Sequence, residues 1–481
     1  MLNWIGFISS QLDYIYFFYG FAFIALGVRA LTVKNKEKEI DWTFLGWFGI
    51  IHGFNEWLDL LAFSLGDSFY FKLVRIVIML ISFVALGEFG RTNYSKIKKR
   101  VPGSWIWWIP FVLAVILGKM DIISIGLHVR YLIAFPAAFM AGSYIFKINR
   151  EKKNRHLKVL SVLLFIYAVL AGLITSNAWF LNTFLVPIQL LRGICATWMA
   201  ISIGNYLMTK EVASKTLPKS VQLLLTLIVT LLISGWFMVY TEGKTKENEL
   251  KQHLLGETKI LGAAINPERV KTLTGTMQDI DTVDYLRIKE QLRWAMEENL
   301  NIRYGYLMKE EDNKIIFLAS VINKGVVSFE TGLPEREESP GEIYEDTDNT
   351  FKEYYRNGKA GVFGPYTDSF GKLVTGVVPI MDKKSGKLLA IFGMDLTAQY
   401  WESGVKRDRL RNIEILALAE IILIVVLGYS FGMDQAMTKV KQSEEEMKEK
   451  IAELAKINKL MVGRELKMIE LKAQIKEKCK I

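Results

Sequence analysis

The stretch QLLLTLIVTLLISGWFMVY, residues 222–240, contains 19 residues and not one charged side chain. A helix of about 20 apolar residues crosses the ~30 Å hydrocarbon core of a bilayer, so this stretch predicts a transmembrane helix. The polar, charged sequence TEGKTKENELKQHLLGETKI, residues 241–260, follows it directly. This abrupt change of composition predicts a boundary between a membrane domain and a domain in water.

Further apolar runs on both sides of this stretch predict a membrane protein with about nine transmembrane helices. Hydrophobic residues make up 51% of the 481-residue chain. The first run is too long for the apolar core of a signal peptide and no basic segment precedes it, so we expect it to be retained. The predicted spans lie near residues 12–33, 42–65, 69–90, 104–120, 122–146, 157–176, 179–208, 219–240 and 412–432.

The loops between the spans predict the orientation of the chain. Alternate loops are basic, whereas the loops between them are short and nearly neutral. Lys- and Arg-rich loops stay in the cytoplasm, so nine spans place the N-terminus and residues 241–410 outside the cell (inner) membrane and the C-terminus in the cytoplasm. The net charge of +10 is then a topology signal, and no nucleic-acid partner is expected. The basic loops are KNKEKE (34–39), RTNYSKIKKR (91–100), KINREKKNRHLK (147–158) and TKEVASKTLPK (209–219).

The insert between the last two spans, residues 241–410, reads as an external α+β domain. Apolar residues recur at roughly helical spacing from the end of the span, so we expect one helix to continue out of the membrane. Beyond residue 300 the pattern changes to strands. Two β-rich pairs surround charged turns, in IRYGYLMKEEDNKIIFLASV (302–321) and in KLVTGVVPIMDKKSGKLLAIFGMDL (372–396). Helices followed by antiparallel hairpins predict an α+β fold.

This order of elements resembles a single Cache (PDC-type, PAS-like) extracytoplasmic sensor domain. The residues that carry the resemblance are Pro365-Tyr366-x-Asp368, Gly371, Pro379 and Gly393-x-Asp395, followed by an exit straight into a transmembrane helix. The family supplies ligand-sensing inputs to histidine kinases, diguanylate cyclases and chemoreceptors. The resemblance implies that residues 241–410 bind a small molecule.

The candidate ligand-binding residues combine carboxylates with aromatic rings. Tyr366 and Asp368 lie beside glycines and a proline, and Asp395 ends an apolar strand. A carboxylate at the rim of a small sheet accepts hydrogen bonds from an ammonium or hydroxyl group, with aromatic side chains as walls. The alternatives are that Asp368 makes a turn, that Asp395 caps the helix LTAQYW, and that the aromatic residues are core. The candidate wall residues are Trp294, Tyr304, Tyr306 and Tyr344.

Amino-acid recognition is not expected from this pattern. Double-Cache receptors for amino acids carry Arg-x-Trp-Tyr ahead of the Pro-Tyr-x-Asp region. The nearest stretch here is Lys352-Glu353-Tyr354-Tyr355, which has neither the Arg nor the Trp.

The second predicted span carries an intramembrane polar cluster. His52, Glu56 and Asp59 lie at i, i+4 and i+7 on one helix face, with Asn55 beside them. Ionisable groups at membrane depth are costly and require partners. The candidates are Arg75, His128, Arg130 and Arg192, in or near spans three, five and seven. A transporter or membrane-enzyme site is one interpretation of the cluster, and a buried network that fixes helix packing is the other. The two cysteines have no ligand spacing, so we expect no metal site and no cofactor.

The residues after the last span predict a C-terminal coiled coil. Their apolar positions recur every seven residues, with companion residues that change side near Asn458. Such a series predicts a parallel homodimer through residues 437–475, and a single exposed amphipathic helix is the alternative. The recurring residues are Val440, Met447, Leu454, Met461, Met468 and Ile475.

The sequence therefore predicts a non-catalytic sensory protein. We expect a seven-helix membrane domain (1–210), an eighth transmembrane helix (211–240), the external sensor domain (241–410), a ninth transmembrane helix (411–432) and a cytoplasmic connector (433–481). An external small molecule would act through the helices on a cytoplasmic histidine kinase or another signalling protein. The alternative function is a transporter or membrane enzyme that uses the intramembrane polar cluster, with the external domain as its regulator.

Overall fold

A computed structural model describes residues 2–33, 39–98, 100–175, 177–211, 219–299, 301–326, 336–345 and 349–478. Most of the basic loops KNKEKE and TKEVASKTLPK lies outside the described residues, as does Cys479. Up to residue 211 the described residues are mainly helical, with one 3₁₀ turn (Ser104–Trp107) and two π-helical turns (Arg130–Ala134 and Val169–Leu173). The helices are α1 (Leu2–Ser9), α2 (Leu12–Val33), α3 (Thr43–Leu65), α4 (Phe69–Ser95), α5 (Trp108–Leu117), α6 (Ile122–Val129), α7 (Phe135–Lys152), α8 (Arg155–Ala168), α9 (Asn177–Phe184) and α10 (Ile188–Glu211).

The second half of the chain contains two long helices that flank an α+β domain. The prediction of one helix continuing beyond the apolar stretch 222–240 is confirmed, since α11 is unbroken to Ala264. The elements are α11 (Lys219–Ala264), α12 (Pro267–Thr272), α13 (Val283–Glu297), β1 (Ile302–Glu311), β2 (Lys314–Ile322), α14 (Asn349–Asn357), β3 (Gly361–Asp368), β4 (Gly371–Met381), β5 (Leu388–Thr397) and α15 (Ala398–Lys478).

Several of these helices are compatible with a membrane protein. In the described part of the chain, six helices are long and apolar enough to cross a bilayer. Helices α9 and α10, bent by 84° at their break, make a seventh if they count as one span. The polar helix α3 is not among them, and the helical segment Ser104–Leu117 is shorter than a span. The number nine and the orientation of the spans stay predictions.

The chain divides into two compact units. The first unit comprises residues 1–17, 57–72 and 233–416, and the second comprises 18–56, 73–232 and 417–481. The sheet belongs to the first unit, and the greater part of the N-terminal helices belongs to the second.

The five strands of the first unit form one antiparallel sheet in the order β2-β1-β5-β4-β3. Successive side chains of a strand point to opposite faces, and both faces are covered here. One face packs against α11 and α13 through residues such as Leu307, Phe392 and Met394. The other face carries Tyr304 and Tyr306. Strand β5 is the central strand of the sheet and lies between β1 and β4, so side chains of these three strands meet there.

Helix α11 lies close against strand β4 because glycines keep the contact free of side chains. A Cβ on Gly376 would overlap the hydroxyl of Thr258, and a Cβ on Gly262 would overlap Val378. Gly376 follows Thr375, whose side chain is on the other face of the sheet. The residue that contacts α11, Gly376, and the residue on the opposite face, Thr375, are therefore adjacent in sequence.

A buried ion pair ties the start of α2 to α15 within the first unit. Arg409 donates from Nε to Asp13 Oδ2 and from Nη2 to Asp13 Oδ1, both at 2.6 Å. Gln11 Oε1 accepts from Arg409 Nη2 at 3.4 Å and from Trp236 Nε1 of α11 at 3.2 Å. Gln11, Asp13 and Arg409 are each at most 4% exposed. We call these four residues the Arg409 clamp; it holds α2, α11 and α15 together at one level.

The C-terminal part of α15 is exposed along its length. The recurring apolar residues from Val440 to Ile475 are all more than half exposed. No partner chain is present, so the coiled coil and the homodimer stay predictions.

Candidate functional site

A cavity lies against the sheet face that carries Tyr304 and Tyr306. Its cavity volume is about 10 Å³, because the facing side chains nearly fill the space between them. All of its lining residues belong to the first unit. They are Tyr304, Tyr306, Met308, Phe317, Ser320, Glu338, Tyr344, Tyr366, Asp368, Phe370 and Asp395.

Asp395 of the central strand β5 forms the floor of the polar part of this site. Its side chain is 4% exposed. Oδ1 accepts a hydrogen bond from the Thr375 hydroxyl at 2.6 Å and one from the Tyr306 hydroxyl at 3.1 Å. The carboxyl of β5 thereby links to β4 on one side and to β1 on the other.

Two further tyrosines extend this network. The hydroxyls of Tyr366 and Thr375 lie 2.8 Å apart. Since the Thr375 proton goes to Asp395, Tyr366 is the donor in this pair. Tyr344 donates to Asp368 Oδ2 at 2.7 Å, and Asp368 Oδ1 accepts from the backbone N–H of Phe370 at 2.9 Å. Two carboxylates and three tyrosine hydroxyls are thus held in fixed orientations around the cavity.

The environment of the cavity disfavours negative charge. Burial raises the pKa of Asp395 to about 7, against the hydrogen bond from Thr375, which lowers it, and the charge of Asp368 raises it further. Burial, and then the charge of Asp395, raise the pKa of Tyr306 and that of Tyr366 above the usual value. Burial also raises the pKa of Glu338. A group that brings positive charge into the cavity would relieve this electrostatic cost.

A glycine makes room for the ring of Tyr306. A Cβ on Gly393 of β5 would overlap the Tyr306 ring and hydroxyl. We expect Gly393→Ala to displace Tyr306 from Asp395 and to lower the free energy of unfolding by about 1–3 kcal/mol. The measurement is urea denaturation of the full-length protein in detergent. The matched control is Gly256→Ala, where nothing lies within 4 Å of the added Cβ; equal losses in the two variants would contradict the assigned packing.

The structure brings six of the seven candidate ligand-binding residues together, and Trp294 is the exception. Trp294 is 64% exposed and does not line the cavity. The buried face of α13 consists of Tyr285, Ile288, Leu292 and Met296, and Trp294 falls outside that stripe. The sequence makes Trp294 an ambiguous candidate, because Trp294 is in a helix and the strand register that fixes the face of the other candidates does not apply to it.

The structure supports the alternative role of Asp368, in a turn, and not that of Asp395, as a helix cap. Asp395 lies inside β5 and bonds to neighbouring strands, so the helix-capping alternative does not describe its contacts. Asp368 does accept from Phe370 N in a turn, and it accepts from Tyr344 as well. The sequence interpretation missed Thr375, Ser320 and Glu338. Strand alternation alone would have placed Thr375 on the face of Asp395, whereas Glu338 reaches the cavity from a loop that carries no such signal.

His52, Asn55 and Glu56 of the intramembrane polar cluster are buried and lie in the second unit. His52 Nε2 lies 2.8 Å from the Tyr167 hydroxyl and 3.2 Å from the Tyr19 hydroxyl. His52 Nδ1 lies 3.1 Å from Ser82 Oγ, which donates to the carbonyl of Met79. The Ser82 hydroxyl donates its proton to the carbonyl of Met79, so it can only accept from His52. His52 therefore donates from Nδ1 and accepts at Nε2. Side chains of four helices, α2, α3, α4 and α8, thus meet at the imidazole of His52.

The other members of the cluster are placed around this imidazole. Glu56 Oε1 is 3.5 Å from His52 Nε2, Asn55 is 1% exposed, and Asp59 is half-buried on the same helix α3. Arg192 donates to the carbonyls of Leu170 and Ile174 beside the π-helical turn of Val169–Leu173. Arg130 donates to the carbonyl of Ala171 at 3.4 Å, and His128 Nδ1 lies 2.7 Å from the carbonyl of Ser124. No group of three or more His, Cys, Asp or Glu side chains with metal-binding geometry occurs among the described residues. These contacts favour the packing interpretation of the cluster.

Comparison with known proteins gives structural neighbours alone. No protein-family model matches the chain, and no curated protein matches it. Two similar solved structures come from the chemoreceptor Tlp3 of Campylobacter jejuni: its sensory domain with isoleucine bound, and its ligand-binding domain in complex with L-valine. Each is 14% identical, with a TM-score of 0.18, over 34% of this chain and 66% of the neighbour. So low a similarity supports no inference about the fold or the function of this chain.

Proposed function

We propose that this protein is a membrane-bound sensor in signal transduction, and that a small molecule bound in the cavity of the external domain is its signal. The observation that carries the proposal is the position of Asp395. It lines the cavity and lies three residues before Ala398, the first residue of the 81-residue helix α15. A change in its hydrogen bonds acts directly on the start of that helix.

The second long helix also reaches the site. Thr258 and Leu254 of α11 contact Gly376, the neighbour of Thr375. Thr375 in turn donates to Asp395. A ligand that draws Asp395 away from Thr375 therefore biases the packing of α11 on β4 and the entry of β5 into α15 together. A ligand changes a conformational equilibrium only through a difference in its affinity for the two states, and this network is where such a difference arises.

The output side of the proposal is the exposed part of α15. We propose that it pairs with a second copy of the chain and acts on a separate cytoplasmic histidine kinase or other signalling protein. The chain itself is proposed to be non-catalytic. The support is the heptad series of exposed apolar residues, since such a seam in water is covered when two helices pair.

The pairing makes a prediction about the seam. We expect Leu454→Glu together with Met461→Glu to abolish the homodimer, because two charges would be buried at facing positions. The mass of the full-length protein in detergent, measured by light scattering, should fall to that of a monomer. The matched control is Val462→Glu with Leu466→Glu, since these residues are similarly exposed but lie off the seam. Dissociation by the control pair alone would contradict the assigned seam.

The experiment that tests ligand sensing is a metabolite screen by thermal shift. The full-length protein and the variant Tyr366→Phe/Asp395→Asn would be screened in parallel in detergent. We expect at least one compound that raises the unfolding temperature of the wild type and leaves the variant unchanged. Compounds that stabilise both proteins equally bind elsewhere. A screen without any compound specific to the wild type would contradict the proposal.

A further inference from the structure

We infer that the ligand of the external cavity is a small organic cation, of the class of primary amines, that carries no carboxylate group. This inference rests on the proposed function and narrows it to one chemical class. Four observations support it, and each concerns the side chains that line the cavity.

The first observation is the sign of the charges. The lining residues include the three carboxyl groups of Glu338, Asp368 and Asp395 and no Lys or Arg. Arg303 of β1 is the neighbouring cation, but its Nη1 donates to the backbone carbonyls of Asn323 and Val326. An anionic ligand would meet like charges among the lining residues, with Arg303 behind the Tyr304 ring at 5.7 Å from its centroid. An ammonium group would meet opposite charges in the lining itself.

The second observation is the direction of the hydroxyl protons. A tyrosine or threonine hydroxyl has one proton to donate and lone pairs to accept. Tyr306 and Thr375 donate to Asp395, and Tyr366 donates to Thr375. Tyr344 donates to Asp368, and Tyr304 donates to the carbonyl of Phe370. With these protons committed, any further hydrogen bond between a ligand and these hydroxyls must be donated by the ligand.

Ser320 follows the same rule. Its hydroxyl donates to Glu338 Oε2 at 2.8 Å. The hydroxyl and carboxyl groups at the polar rim of the cavity therefore all act as hydrogen-bond acceptors toward a ligand. An ammonium group, with three N–H donors and no acceptor, matches this rim, and a carboxylate, which has acceptors only, does not.

The third observation is an oxygen without a partner. Both hydrogen bonds to Asp395 end on Oδ1. No hydrogen bond from a described residue ends on Oδ2, and the side chain lines the cavity. A carboxylate oxygen that faces a cavity without a protein donor can accept from an N–H group of a ligand.

The fourth observation is the wall of aromatic rings. Tyr304, Phe317, Tyr344 and Phe370 line the cavity in edge-to-face and tilted contacts with one another. Ring faces attract cations within about 6 Å of the centroid. The apolar part of an amine would pack on the same rings that stabilise its charge.

The test compares matched compounds on the full-length protein in detergent by isothermal titration calorimetry. Isobutylamine, L-valine and 3-methylbutanoate share the same branched four-carbon group, which carries an ammonium group, both an ammonium and a carboxylate group, or a carboxylate group alone. The compounds 2-phenylethylamine, L-phenylalanine and 3-phenylpropanoate form the matching aromatic set. We expect the amine of at least one set to bind at least tenfold more tightly than its two carboxylate-bearing partners.

Two variants and one change of pH sharpen the test. Asp395→Asn should weaken amine binding at least tenfold, whereas Glu353→Gln, at an exposed position of α14, should leave it unchanged. Since burial holds the pKa of Asp395 near 7, amine binding should strengthen about tenfold from pH 6 to pH 8 as that carboxyl ionises. The other titratable groups that face it are Glu338, Asp368, Tyr306, Tyr344 and Tyr366.

The outcomes separate the ligand class from the proposed function. Binding of a carboxylate-bearing compound as tight as that of its amine, or amine binding untouched by Asp395→Asn, overturns the ligand class. A neutral or anionic hit in the metabolite screen that Asp395→Asn abolishes, with no amine bound, overturns the class and leaves the sensor. Failure of the amines and of the whole screen overturns both.

Discussion

Replacing Arg409 by methionine is expected to lower the free energy of unfolding by about 3–5 kcal/mol, because Asp13 would be left as a buried charge without its partner. Asp13 is 2% exposed and receives two hydrogen bonds of 2.6 Å from this one guanidinium. The measurement is urea denaturation of the full-length protein in detergent. Asp13→Ala is expected to lower the free energy of unfolding by about the same amount, since the buried guanidinium of Arg409 would lose its partner.

The double variant Asp13→Leu/Arg409→Met separates the ion pair from the packing. With both charges removed, most of the lost stability should return, since an apolar pair of similar volume often replaces a buried ion pair at little cost. The matched control for the single variant is Arg411→Met, at an exposed position two residues along α15, where a change within about 0.5 kcal/mol is expected. A double variant as unstable as the sum of the singles would contradict the clamp.

The second large effect is a pH dependence that Asp395 confers on stability. In the unfolded chain this carboxyl has a pKa of about 3.9, and burial raises it to about 7 in the folded protein. The folded state therefore holds the proton more tightly, and the free energy of unfolding falls as pH rises from about 4 to about 7. The fall amounts to about 4 kcal/mol at most.

The variant Asp395→Asn isolates this contribution. Asparagine keeps an acceptor oxygen for Tyr306 and Thr375 but does not titrate. We expect it to be more stable than the wild type at pH 8, with the difference vanishing near pH 4. Urea denaturation of both proteins at a series of pH values measures this. Parallel pH curves for the two would show that Asp395 is not the buried titrating group.

The fold of the α+β domain was accessible from the sequence because its signals are local. β-rich runs around charged turns predicted the strands of both hairpins. The Pro365-Tyr366-x-Asp368 and Gly393-x-Asp395 stretches pointed to carboxylates that the structure places in one cavity. The helix that continues beyond residue 240 was likewise predicted from apolar spacing. In each case, neighbours in sequence determine the feature.

The features that the sequence did not reveal depend on contacts between distant segments. The Arg409 clamp joins residues 396 apart along the chain. The partners of His52 are hydroxyls of Tyr19, Ser82 and Tyr167 on other helices, although arginines were the obvious candidates from charge alone. Trp294 went to the exposed face of α13 because the stripe of Ile288 and Leu292 determines which side of that helix is buried.

The position of the cavity would let a bound ligand act on both long helices at once. Asp395 lies inside β5, three residues before the start of α15, and Thr375 lies beside the glycine on which α11 packs. The Arg409 clamp holds these two helices to the start of α2 further along. A shift of α15 must therefore either move α2 with it or break a buried ion pair, so small displacements are favoured over large ones.

The central claim is that a ligand in the cavity acts on the start of α15, and hydrogen–deuterium exchange tests it most directly. Backbone exchange would be measured on the full-length protein in detergent with and without saturating 2-phenylethylamine, and on Asp395→Asn as the control. We predict slower exchange in residues 302–308, 373–377 and 391–397 together with altered exchange in 398–412, and neither change in the variant. Protection confined to other regions, or equal changes in Asp395→Asn, would contradict the claim.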